Sequence, residues 1–235
     1  MKVLITGGAG FIGSHLAKKL LERGEQVVIL DNLCDYYSPK YKTARLEIFL
    51  KGLSFSFVNA DFSDFSSLEK VFAANKFDKV YHLAAQAGVR YSLENPGVYG
   101  TTNIIGTLNL LRLAVIHKVG HFIFASSSSV YGAAKKFPIS ETDPTDRPLS
   151  LYAATKVAGE AMLSAFSHTH GLRATAFRFF NAYGHWARPD SALFIFTQRI
   201  LSGRPIEVFD HGNAMRDFTF VGDIVEGIAS ADRQT

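Results

Sequence analysis

An α/β fold with a doubly wound parallel sheet is what this sequence predicts, on two observations. Short apolar runs alternate with longer segments of helical period, and the first run feeds a glycine-rich turn, TGGAGFIG. In chain order, KVLIT (2–6) reads as a strand, and residues 11–23 carry helical spacing that should stop at Gly24. QVVILD (26–31) and SFSFVNAD (54–61) follow as strands, then a helix over 66–75. DKVYHLAA (78–85) is the next strand, then a helix over 100–118 ending near Gly120, then HFIFAS (121–126). A helix over 152–170, stopped at Gly171, leads into RATAFRF (173–179). These runs are short, apolar and mostly rich in β-branched or aromatic residues, the pattern of strands buried on both faces. Later, ALFIFTQRIL reads as a helix, PIEVFD as a strand and DIVEGIAS as the start of another helix.

The bulk properties narrow the function. A chain of 235 residues, 47% hydrophobic and 20% charged, can bury a substantial core in one domain or in one plus a partial second. No apolar run reaches the roughly 18 residues of a membrane span, and Met1 leads into VLIT rather than a signal peptide, so a cytoplasmic protein without a membrane partner is expected. Cys34 is the single cysteine, which excludes an intramolecular disulfide, and the eight histidines show no ligand spacing, so no metal is expected. The net charge of +4 is spread over scattered Lys and Arg with no dense run and interleaved aromatics, so no nucleic acid is expected, and a small anionic ligand accounts for it equally well.

The first strand-to-helix turn carries the first specific signal. Gly7, Gly10 and Gly13 leave out side chains where backbone N–H groups can approach a pyrophosphate at the positive end of a helix. Asp31 closes the next strand, placed to accept hydrogen bonds from an adenosine ribose, which makes the sheet Rossmann-type. Asn32 and Leu33 bring no cation for a 2′-phosphate, so the expected cofactor is NAD. Asp61 and Phe62, after the third strand, are placed to border the adenine, although an aspartate there also serves as a helix cap. The second signal is SLYAATKVAGE: Tyr152 and Lys156, four apart, share one helix face. A neighbouring ammonium and a positive nicotinamide ring both favour the phenolate, which makes Tyr152 a candidate general base. The third is FIFASSSSVYG, where four serines close a buried strand at the end at which parallel sheets meet ligands.

Together, TGGAGFIG, HLAAQAGVRYS, NIIGT, SSSSVYG, YAATK, RFFNAYG and MRDFTFVGDIVEG resemble the extended short-chain dehydrogenase/reductase family, specifically its nucleotide-sugar epimerases, over essentially the whole chain. CDYYSPKYKTARLE, AGVRYSLENP and YGHWARPDSALFIFT are most similar to UDP-glucuronate 4-epimerases. The resemblance implies a UDP-sugar substrate whose 4-hydroxyl proton is taken by Tyr152 while C4 yields a hydride to NAD, and whose 4-keto form rotates and takes the hydride back. It assigns Lys156 to the nicotinamide ribose and Ser127 to a bridge between sugar O4 and tyrosine. Ser128 and Ser129 would line the sugar site, Ser126 would lie towards the nicotinamide, and Phe180 would border that ring. Phe11, Ile12, Leu83, Ala84 and Ala85 would complete the cofactor contacts, and Asn103 would support the active-site backbone. Asn181 and Arg216 would contact the UDP-sugar, and Arg90 and Arg188 are the candidates for a substrate carboxylate. Related 4,6-dehydratases place an Asp-Glu pair where Ser128 and Ser129 stand, so simple hydride return is favoured.

Some residues depart from the glucuronate pattern. Asn181 stands where Thr is usual, His185 where Pro is usual, and Ala187 and Ser191 replace Gly and Met. Asn181 is more similar to neutral-sugar enzymes, so a UDP-glucose/UDP-galactose 4-epimerase is the alternative. A reductase that exchanges its cofactor and an NAD- or nucleotide-sugar-binding protein with little activity are further readings. The resemblance implies an NAD-binding domain over 1–180 and a smaller, incomplete sugar-nucleotide lobe over 181–235, with members of this type continuing further. It also implies a homodimer that pairs the helices at 100–118 and 152–170.

Overall fold

A computed structural model describes residues 1–208, 210–213 and 215–231. The elements run β1 (Lys2–Thr6), α1 (Phe11–Glu22), β2 (Gln26–Leu30), α2 (Pro39–Ala44), β3 (Ser56–Val58), α3 (Phe65–Ala73), β4 (Lys79–His82), α4 (Tyr91–Glu94) and α5 (Pro96–Tyr99). They continue as α6 (Gly106–Ile116), β5 (His121–Ser127), α7 (Leu151–His170), β6 (Ala174–Phe179), β7 (Asn181–Tyr183), α8 (Ala192–Leu201), β8 (Phe218–Phe220) and α9 (Val221–Ser230). One six-stranded sheet takes the order β3-β2-β1-β4-β5-β6, every pairing parallel. The order reverses between β1 and β4, so a crevice opens at the carboxyl ends of the strands there. The predicted doubly wound sheet is present. QVVILD, SFSFVNAD and DKVYHLAA stop pairing early, because Asp31, Asp61 and Leu83 to Ala85 turn out of the ladder and line the crevice.

Apolar side chains from each face of the sheet bury separate layers. Leu4, Val28, Val80, Phe122 and Phe124 pack with Leu68 and Phe72 of α3, Leu110 and Leu113 of α6 and Leu163 of α7. On the other face, Val3, Ile5, Ile29 and Ile123 pack with Leu16 and Leu20 of α1 and with Val221, Ile224, Val225 and Ile228 of α9. The last described helix therefore covers the main sheet. Among the described residues, no helix is long and apolar enough to cross a membrane.

Helix boundaries follow local chemistry. The Ser150 hydroxyl accepts the Ala153 N–H at 3.1 Å to start α7, and Gly171 ends it at φ +66°, a conformation in which a Cβ is costly. Asp64 caps α3 through the Ser66 N–H. The segment predicted as one helix over 100–118 is a π-helical turn over Gly100–Ile105 running into α6. Its left-handed stop is Lys118 (φ +53°), not Gly120. Gly120 instead allows close approach: its N–H donates to the Asp78 carbonyl at 2.9 Å, and a Cβ would lie 3.1 Å from that oxygen.

The pattern in sequence missed α2, which continues into a π-helical turn at Arg45–Phe49, and the parallel pair β7-β8 that joins residues 181–183 to 218–220. The strands are too short for an alternation to show, and the buried residues of the helix are Lys42 and Arg45, which leave no apolar period. The helix α8 lies where predicted, with none of its residues buried. Residues 204–208 carry no regular structure where a strand over 205–210 is expected, and residue 209 lies outside the described residues.

Candidate active site

The glycine turn is shaped by what its glycines exclude. Gly7 adopts φ +72°, and a Cβ on it would lie 2.7 Å from the Ala84 nitrogen. A Cβ on Gly13 would collide with the Gly7 carbonyl oxygen, and the Gly10 N–H donates to that oxygen at 2.9 Å. No side chain caps α1, so its first N–H groups stay directed at the crevice, a site suited to a dinucleotide pyrophosphate. The backbone N–H groups of Ala9 and Leu33 donate to the two Asp31 oxygens at 3.2 and 2.9 Å. Burial raises the Asp31 pKa against the pull of Lys42. Asn32 donates to Asp61 at 3.0 Å, and Asp61 accepts from the Ser63 N–H and hydroxyl, so this pair forms a rim of the crevice. Phe62 is nearly buried, edge-on to His82.

One cavity of about 1150 Å³ joins this turn to the end of β5. It is lined by Gly7, Gly10, Phe11, Ile12, Gly13, Asp31, Asn32, Asp61, Phe62, Leu83, Ala84 and Ala85 on the side of the glycine turn. All four serines 126–129, Tyr152, Lys156, Phe180, Asn181, Arg188 and Arg216 line the rest. Its size and its mixture of glycine edges, apolar walls and a few polar groups suit a dinucleotide together with a second ligand.

The chemical groups meet where β5 faces α7. The Ser127 hydroxyl accepts from the Ser129 N–H at 3.2 Å and from the Ser129 hydroxyl at 2.9 Å, and a hydrogen bond from Ser127 stabilises the Tyr152 phenolate. Burial raises the Tyr152 pKa, while Ser127 and the Arg188 charge pull it down. Lys156 is nearly buried, donates to the Ala125 carbonyl at 2.7 Å and sits 5.9 Å from the Tyr152 ring centre. Burial pulls its own pKa down to about 8. The sequence assigns the lowering of the phenol pKa to Lys156. In the structure the Arg188 charge pulls the same way, and the Lys156 ammonium, which donates to the strand carbonyl, lies over the same ring.

Ser126 faces the other way. Neighbouring strand residues point to opposite faces, and its hydroxyl donates to Glu160 on α7. Glu160 in turn accepts a fork from Arg178, with an Nη2 contact of 2.8 Å. Ser126 therefore lines the cavity with its hydroxyl tied to the scaffold. Asn103 lies off the cavity and braces it: its oxygen accepts the Gln86 N–H at 2.8 Å, and its amide donates to the Gln86 carbonyl and the Thr155 hydroxyl. His82 is buried between Thr6 and Thr107, and burial together with Lys156 holds its pKa at about 3.

The substrate-side candidates divide. Arg188 lines the cavity and makes a fork with Asp190 at 2.9 and 2.8 Å. Arg90 is exposed at the start of α4 and does not line the cavity, because the loop that bears it turns into a helix there and presents Val89 instead. Asn181 uses its amide on the Asp217 carbonyl at 2.9 Å, which holds β7 to the strand beside it, and the exposed Arg216 donates to its neighbour's carbonyl. Sequence reasoning passed over Tyr36, Tyr37 and Lys42, which also line the cavity, and the buried Arg45, which joins the Ala9 carbonyl of the glycine turn to the Trp186 carbonyl. The signal was available in the charged and aromatic residues of CDYYSPKYKTAR, a stretch with no periodicity to place it.

Residues 3–234 match the NAD dependent epimerase/dehydratase family. The chain belongs to this family. It is 50% identical over 229 residues to protein CapI of Staphylococcus aureus, covering 97% of this chain and 68% of that protein. UDP-glucuronate 4-epimerase 4 of Arabidopsis thaliana is 48% identical over 233 residues, covering 97% of this chain and 53% of that one. The solved UDP-glucuronic acid 4-epimerase of Bacillus cereus, in complex with UDP-glucuronic acid and NAD, superposes with a TM-score of 0.90 at 36% identity, covering 100% of this chain and 73% of that chain. Within this epimerase/dehydratase chain, no group of three or more His, Cys, Asp or Glu is arranged to hold a metal among the described residues.

Proposed function

We propose that the chain is an NAD-dependent UDP-sugar 4-epimerase that interconverts UDP-glucuronate and UDP-galacturonate. The observation that carries this reading is the convergence of Ser127, Tyr152 and Lys156 on the same cavity as the glycine turn. The relatives named for glucuronate epimerisation support the substrate. The uncapped start of α1 and the Asp31 carboxyl, on the same cavity, fit NAD. Bound NAD supplies a reversible hydride acceptor, so C4 can pass through a ketone with no net oxidation.

The protein's part is proton handling and placement. Tyr152 removes the proton from the C4 hydroxyl, Ser127 relays between that oxygen and the phenol, and Ser128 and Ser129 leave room for a sugar ring while offering hydroxyls. Lys156, fixed by the Ala125 carbonyl, holds the nicotinamide ribose. The same Tyr152 returns the proton after the keto sugar has turned over. Arg188 is the cation for the hexose carboxylate, and Asn181 and Arg216 face the nucleotide. Residues 1–180 act as the NAD-binding domain with α9 packed on its sheet, and the rest of 181–235 as a partial sugar-nucleotide lobe, which corrects the expected boundary at 180. A cytoplasmic homodimer pairing the helices at 100–118 and 152–170 completes the reading, supported by Ile105 and Ile116, which are 48% and 61% exposed along the first of these segments.

A second reading, UDP-glucose 4-epimerisation, is favoured by one observation: Arg188 already carries a carboxylate partner in Asp190. Purified protein incubated separately with UDP-glucuronate and UDP-glucose, without added NAD, decides between them by NMR of the products. Formation of UDP-galacturonate is expected. Turnover of UDP-glucose alone would move the assignment to the second reading.

A further inference from the structure

Asp190 has no role in the chemistry above, yet it is held more firmly than a surface carboxylate. It accepts a fork from Arg188, Nε to Oδ1 at 2.9 Å and Nη2 to Oδ2 at 2.8 Å. Oδ2 also accepts the Tyr36 hydroxyl at 3.1 Å. Tyr36 comes from the loop after β2, and its hydroxyl packs so tightly on Gly88 that a Cβ there would lie 2.5 Å away. Its ring lies 5.0 Å from that of Tyr91. Two loops at the cavity mouth therefore meet on one carboxylate, and the second is braced by Gly88 and Tyr91.

The fork fixes the guanidinium plane and uses one edge of it, leaving the Nη1 edge to meet an acceptor in the cavity. It also places a negative charge against the positive one. A carboxylate at the Nη1 edge is attracted by Arg188 and repelled by Asp190 from the far edge of the same guanidinium, so part of the attraction cancels. A sugar hydroxyl at the same guanidinium edge meets no such opposition. Arg188 also projects its field onto the Tyr152 phenol, so its orientation matters to both halves of the site.

We propose that Asp190 is a specificity-determining positioning residue, which holds Arg188 and partly cancels its charge, and so sets how strongly the cavity prefers a uronate over a neutral hexose. This rests on the reading of the substrate as a UDP-hexuronate or UDP-hexose. Asp190→Asn keeps an acceptor for Arg188 and removes the charge. Asp190→Glu keeps the charge and moves it.

The test is calorimetric titration of UDP-glucuronate and UDP-glucose into wild type, D190N and D190E, each checked for intact fold by circular dichroism. D190N should shift the ratio of the two Kd values by about ten-fold towards UDP-glucuronate. D190E should weaken both ligands with the ratio within about two-fold of wild type. A D190N ratio that stays constant, or moves towards UDP-glucose, overturns the proposal; where D190N loses its fold, D190S, which also removes the charge, carries the same test with the same expected and overturning results. Wild-type turnover is scored separately: a wild type that binds both nucleotides and epimerises neither refutes the function, while the Kd ratio still decides the role of Asp190.

Discussion

The two sides of the cavity are built on different principles. On the cofactor side, buried strands and backbone geometry do the shaping: Val3, Leu4 and Ile5 are fully buried, and the turn that follows tolerates no Cβ at Gly7 or Gly13. On the substrate side, β7, β8 and α8 are largely exposed, and the cavity is shaped by long side chains on loops. Backbone-shaped sites depend on residues that must be absent, and side-chain sites depend on residues that must be present. The comparison teaches that the first kind fails abruptly when a single methyl group is added, and that the second can be retuned by exchanging one charge.

The largest effect should come where the two sides meet. Tyr152→Phe is expected to lower kcat by about a thousand-fold while nucleotide-sugar affinity stays within a few-fold of wild type, as read by steady-state kinetics and titration. A variant with unchanged turnover would remove Tyr152 from the proton path. On the cofactor side, Gly13→Ala should reduce NAD retained through purification by at least about ten-fold, measured by chromatography of the released nucleotide. Retention at the wild-type level would mean that the turn can yield by moving its backbone.

Lys156 offers a subtler contrast, between function and stability. Its folded pKa of about 8 lies below the ordinary lysine value, so the cost of burying the ammonium is fully felt below that pH and relieved as pH rises through it towards the unfolded value. Lys156→Met should therefore abolish turnover and yet stabilise the fold at neutral pH, on the order of 1–3 kcal/mol after loss of the bond to Ala125. The gain should shrink between pH 8 and 10, followed by chemical denaturation. A gain that grows with pH would contradict the assignment. The smallest effect is expected at Arg90, exposed outside the cavity: Arg90→Ala should change KM for UDP-glucuronate less than about two-fold, against roughly ten-fold or more for Arg188→Ala. Equal losses would return Arg90 to the substrate.

The same contrast explains what could be read in the residues. The strands, the glycine turn and the Tyr152–Lys156 face were legible because burial on both faces, a forbidden Cβ and a four-residue helical spacing each leave a pattern in sequence. The direction of the Ser126 hydroxyl could not be read, because a serine run does not reveal which members face which side of a strand, and pairing with Glu160 is a tertiary fact. Asp190 and the partners of Arg45 were illegible for a related reason. Arg45 joins carbonyls 36 and 141 residues away, and Asp190 accepts from Tyr36, 154 residues away. No local period records such contacts. Arg90 shows the converse, a motif residue whose place in sequence promises a contact that the turn into α4 does not deliver.

The central claim is that C4 gives up a hydride and receives the same one back within a single active site. UDP-glucuronate deuterated at C4, turned over by the purified protein in ordinary water and followed by NMR, tests it most directly. The account predicts UDP-galacturonate that retains deuterium at C4. Product carrying solvent hydrogen at that carbon would contradict it.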